Sequence, residues 1–134
     1  MKKVLVPMDG SAEAIETLRS VVREGPAKVG RIEVVNVQPR FDRYASRWIP
    51  RSAREAWRAE RAQAALAPAL AVLAGTTIPW RVHAMSGRVD STIVAAAREL
   101  RADEIAGGVP RPPFASIALP AGLGLAALVW LAAD

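Results

Sequence analysis

An acid, a glycine and a hydroxyl, Asp9-Gly10-Ser11, follow directly on the apolar run Val4-Leu5-Val6-Pro7-Met8. A carboxylate at the end of a buried strand can accept hydrogen bonds from a ligand's hydroxyl or amine, or it can tie the turn while Ser11 caps the next helix. The second chemical feature is cationic. Residues 40–61 hold Arg40, Arg43, Arg47, Arg51, Arg54, Arg58 and Arg61 against Asp42, Glu55 and Glu60, a local excess of four charges. With Trp48 and Trp57 interleaved, such arginines could engage the phosphates of nucleic acid or anionic lipid while an indole stacks on a base. They also suit the solvated face of an amphipathic helix, with Glu55 and Glu60 within pairing reach. The interrupting acids and the lack of a nucleic-acid motif favour that plainer reading, so a polyanion patch at Arg51, Arg54, Arg58 and Arg61 stands as the alternative.

What is missing narrows the chemistry further. The chain has no cysteine and one histidine, His83, so thiol chemistry, a disulfide scaffold and a metal centre needing two such ligands are excluded. His83 receives no role. No nucleophile stands beside a base, and Asp9, Asp90 and Asp103 form no catalytic motif, which predicts a protein that is not an enzyme. The 134 residues suit one domain, 51% hydrophobic and 23% charged, enough to bury a core. Lys2-Lys3 precede only three apolar residues before Pro7, too few for an export signal, so the expected location is cytoplasmic.

Alternating strand and helix signals position these residues. Residues 3–8 read as a buried strand and Asp9-Gly10-Ser11 as a turn. Ser11 caps a helix through Ile15, Leu18, Val21 and Val22 that Gly25-Pro26 ends. Residues 31–37 form a second strand and 38–50 a loop. A helix runs from Arg51 to about Gly75, with Leu66, Leu70 and Leu73 on its inner face and the four arginines roughly opposite. Pro68 should bend it or split it in two. Residues 78–85 alternate as a third strand, Asp90 caps a helix through Ile93, Val94, Ala97 and Leu100, and 103–108 is a weak fourth strand. Pro79-Trp80 and Trp48-Ile49 are expected as core or dimer anchors.

The chain resembles the universal stress proteins over residues 1–108. Val4-Leu5-Val6-Pro7-Met8-Asp9-Gly10-Ser11 is similar to the family's first strand and turn, and Val35-Asn36-Val37-Gln38-Pro39 to the end of its second. Gly87, Ile93, Ala97, Ala102-Asp103, Ile105 and Gly107 follow its third-helix and fourth-strand pattern. The resemblance implies an α/β fold: an open parallel five-stranded sheet of order 3-2-1-4-5, flanked by helices, often dimerising through the last strand. Some members bind ATP. In those, the aspartate after strand 1 and backbone groups ending strands 1 and 2 hold the adenosine part. A glycine loop after strand 4, G-x2-G-x9-G followed by Ser or Thr, holds the phosphates. Carried over, the implied vestigial nucleotide site comprises Pro7, Met8, Asp9, Val37, Gly107 and Gly108.

The phosphate loop is where the likeness fails. After Gly107-Gly108 the chain reads Val109-Pro110-Arg111-Pro112-Pro113-Phe114, and no later glycines satisfy the spacing. A phosphate cradle is built from converging backbone N–H groups, and proline has none. The expectation is a binding or regulatory domain with no cofactor: ATP is not expected, and a weak adenosine pocket is the most the sequence supports. Alternatives are an adenine-nucleotide sensor and a membrane-tethered member. The tether would be residues 114–133, part of an uncharged run from Pro112 to Ala133. Pro120, Gly122 and Gly124 interrupt that run, which favours a buried or dimer-buried segment with residues 126–132 as the last strand and Trp130 at a homodimer interface. Residues 109–134 are thus an atypical apolar end to a single domain. The abrupt end of the likeness near Gly108 also fits a shifted reading frame. The regulatory partner and the stress served are not legible.

Overall fold

The computed structural model describes residues 1–40 and 47–107. Val4, Leu5 and Val6 are fully buried because their strand, β1 (Lys2–Pro7), lies inside the sheet. It is followed by α1 (Ala12–Glu24), β2 (Val29–Gln38), α2 (Arg51–Leu73), β3 (Trp80–Ser86), α3 (Val89–Glu99) and β4 (Glu104–Ile105). The four described strands are parallel in the order β3-β2-β1-β4. This is the expected order as far as it goes; the expected fifth strand, with the dimer contact and Trp130, lies outside the described residues.

Period-two alternation sends side chains to two layers. Val4, Val6, Ile32 and Val34 meet Leu18 of α1 and Leu66, Ala69 and Leu73 of α2 on one face. On the other face, Leu5 and Val35 meet Ile93, Ala96 and Ala97 of α3. Each fully buried Leu or Val contributes about 1.5–3 kcal/mol. The chain order β1, β2, β3 runs outward on one side of β1, and β4 returns to the other side, which opens a crevice beyond the carboxyl ends of β1 and β4.

Several local expectations change. Ser11 caps α1, its hydroxyl accepting from Ala14 N–H at 3.1 Å, and Gly25 (φ 83°) ends it. By contrast Arg88, not Asp90, is the cap of α3; Asp90 sits in the first turn, where its charge still favours the helix dipole. Pro68 lies within a single unsplit helix, whose inner face is held by tertiary packing on both sides of it. The inner stripe of α2 is Ala62, Leu66, Ala69 and Leu73, whereas Leu70 is 42% exposed. Trp48 is 73% exposed and Trp80 half-exposed, so neither anchors the core. The fourth strand shrinks to two residues, yet it is clamped: Lys3 Nζ donates to Leu100 O, Lys3 N–H to Asp103 Oδ2 (both 2.8 Å), and Asp103 N–H to Lys3 O at 2.7 Å. No helix among the described residues is long and apolar enough to cross a membrane, and residues 112–133 lie outside them.

Candidate functional site

Three strands end together at the crevice. Met8 N–H donates to Val35 O (2.8 Å), carrying the β1–β2 pairing one residue past Pro7. Ala106 N–H donates to Leu5 O (2.9 Å), which brings Gly107 alongside the end of β1. Pro7 and Met8 are buried, and Asp9 is exposed above them.

Parallel pairing gives Val37 a particular role. Along β2, Ile32 N–H and Gln38 O bond to the β3 side, while Val35 O bonds to the β1 side. Alternation therefore turns the N–H and C=O of Val37 toward the β1 side, at a level that β1 does not reach. A donor and an acceptor stand side by side over Met8 and Asp9. Two buried amides beneath fix this geometry: Asn36 Nδ2 donates to Met8 O at 2.7 Å, and Gln38 Nε2 donates to Asn36 Oδ1 at 3.0 Å. The sequence reading did not single out this amide pair. Its signal was present, as two polar residues two apart in an apolar strand.

Asp9 does structural work too. Its Oδ1 accepts Ser11 N–H at 2.8 Å, and the Ser11 hydroxyl and N–H hold its carboxyl below the ordinary value of 3.8. Gly107 adopts φ 44°, and a Cβ there would lie 2.8 Å from Thr17 Oγ1 on α1, so only glycine fits. Gly108 lies outside the described residues.

Two of the four arginines lie nearer the buried face of α2 than expected, while Arg54 and Arg61 stand about 90° and 110° from it. Taking about 100° per residue, Arg51 and Arg58 fall within about 50° of the Ala62–Leu66–Ala69–Leu73 stripe. Two of the four residues in that stripe are alanines, so the leucines alone do not mark it. Arg51 pairs with Glu55 (2.9 Å), and Arg61 lies over the Trp57 ring at 4.8 Å. Arg54 and Arg58 are half-buried.

Two further features stand apart from the crevice. Glu33, 1% exposed in the middle of β2, pairs with His83 Nε2 and lies 3.1 Å from Arg31 Nε. His83 thus partners the buried Glu33 carboxylate, which a lone acid inside a β-branched run could have signalled. A cleft of about 420 Å³, lined by Pro39, Arg40, Gly87, Arg88, Val89, Ser91 and Thr92, opens at the ends of β2 and β3. Among the described residues no cluster of acids or histidine could hold a metal ion.

The comparisons agree with this layout. Residues 1–117 match the family model described as "Universal stress protein family". A crystal structure of a universal stress protein family member from Burkholderia pseudomallei is 25% identical, with a TM-score of 0.62 over 78% of each chain. Universal stress protein UspA from Lactobacillus plantarum is 16% identical, with a TM-score of 0.63 over 97% of this chain and 91% of that one. A universal stress protein in complex with cAMP is 19% identical, with a TM-score of 0.54 over 78% and 74%. No curated protein matches the sequence. With the family model spanning most of the chain and the strand order in place, the protein belongs to the universal stress protein family.

Proposed function

We propose that this chain is a non-catalytic regulatory domain that takes the adenosine part of an adenine nucleotide at the ends of β1 and β2 and lacks the family-type grip on a triphosphate. The observation that carries this reading is the outward backbone pair of Val37 above Met8 and Asp9. One N–H and one C=O, held by the buried Asn36–Gln38 amides, suit a flat base edge with an adjacent acceptor and donor, and the Asp9 carboxylate suits a ribose hydroxyl. A structural neighbour is described in complex with cAMP, which shares that adenosine part.

The sequence after Gly107 supports the second half of the reading. Pro110, Pro112 and Pro113 offer no N–H where a phosphate loop needs several. An adenosine moiety held without that loop predicts weak affinity, little benefit from Mg2+, and no hydrolysis. Residues 126–132 suit a dimer strand, and the domain suits the cytoplasm. The test is thermal denaturation of the purified chain with adenosine, AMP or guanosine. Adenosine and AMP should raise the melting temperature and guanosine should not; equal shifts, or none, would overturn the reading.

A further inference from the structure

The side of α2 that touches the β1–α1 turn is the side that carries arginine. Gly10 (φ 84°) approaches so closely that a Cβ there would lie 3.2 Å from Ala65 Cα and Ala65 O. That contact sets the height of the crevice floor on α2. The helix runs back along the sheet toward β3, whose entry is tied by Ile32 N–H to Pro79 O, so its amino-terminal half points past the carboxyl ends of the strands. Residues 51–61 precede Ala62, the first buried residue of the helix, and make about 16 Å of helix at 1.5 Å per residue. None of residues 51–61 is fully buried, and only Arg54 and Arg58 among them are half-buried.

Arg61, Arg58 and Arg54 lie four, seven and eleven residues before Ala65, the spacing of one helical face. They rise on the side turned to Gly10, at about 6, 10 and 16 Å along the axis. Among the described residues neither Arg58 nor Arg61 has a carboxylate partner; Glu55 is taken by Arg51. Arg61 rests on the Trp57 ring, which orders a planar guanidinium while its N–H edge stays available to an anion.

We propose that Arg58 and Arg61 bind the phosphate of a nucleoside monophosphate whose adenosine part sits at Val37 and Asp9, side chains of α2 thereby standing in for the missing loop amides. This rests on the adenosine reading above. Guanidinium forks match phosphate oxygens in pairs, and a charge-assisted bond needs no glycine nest. Calorimetric titration of the full chain with adenosine and with AMP, at low and high salt, tests it alongside the double variant Arg58→Ala/Arg61→Ala. The wild type should bind AMP about tenfold tighter than adenosine, equivalent to about 1.4 kcal/mol, with the preference shrinking as salt rises. The double variant should bind adenosine as before and lose the preference. Adenosine binding without an AMP preference, or a preference that survives in the variant, overturns this inference and leaves the adenosine reading intact. Failure of both ligands to bind overturns both. Tight binding of a labelled single-stranded oligonucleotide, with AMP no better than adenosine, would assign the arginines to a polyanion instead and likewise overturn the proposal.

Discussion

At Gly10 a left-handed φ of 84° and a helix backbone 3.2 Å from where a Cβ would stand coincide, so the residue is fixed twice over. Gly10→Ala should cost about 1–3 kcal/mol, read as a fall in the urea midpoint. Asn36 has a different burden, because its amide is buried and holds the Met8 carbonyl. Asn36→Leu should cost about 1–3 kcal/mol and weaken adenosine binding as well, whereas Gly10→Ala acts first on stability. Asp9 carries the pH dependence. Its folded-state carboxyl lies below its ordinary 3.8, so the stability it contributes is present above that value and is lost as pH falls through the lower, folded value. Acid titration of the wild type should show a loss of stability below 3.8 that Asp9→Asn flattens. Asp9 and Ser11 were legible in the sequence because turn and cap chemistry is local. Asn36, Gln38 and Glu33 stood out only as polar residues in an apolar strand, and their partners, Met8 O and His83, are set by neighbouring strands that the local sequence does not show.

Among the elements, α2 departs furthest from expectation. Its burial rests on Ala62, Leu66, Ala69 and Leu73, and half of that stripe is alanine, which a search for large apolar residues passes over. Reading Leu70 as inward turned the inner face by about 40° and set Arg51 and Arg58 further from it than they stand. Pro68 was expected to bend the helix or split it in two, and it does not split it: Ala69 and Leu73 beyond it are buried. The proline removes one ladder bond, so Pro68→Ala should raise the melting temperature, with a gain of up to about 3 kcal/mol. A fall would mean that the proline's shape is needed for packing. Strands β1 and β2 were legible from β-branched runs bounded by turns, whereas β4, two residues long, depends on the Lys3–Asp103 clamp that only tertiary contact supplies.

For the molecule as a whole, the parallel sheet of order β3-β2-β1-β4 places a crevice where β1, β2 and β4 end. On the proposed reading, the carboxyl ends of the strands offer a base edge at Val37 and an acid at Asp9, while the sequence after Gly107 supplies prolines. The fold and the strand-end residues Asp9 and Val37 follow from short-range patterns; the placement of α2 against the β1–α1 turn follows from the Gly10–Ala65 contact, which joins residues far apart in the chain. The most direct measurement is calorimetric titration of the wild-type chain with AMP and with Mg2+-ATP under one buffer. The account predicts binding of both, with affinities within about tenfold and no gain from Mg2+. Mg2+-ATP binding about a hundredfold or more tighter than AMP, or no binding of either, would contradict it.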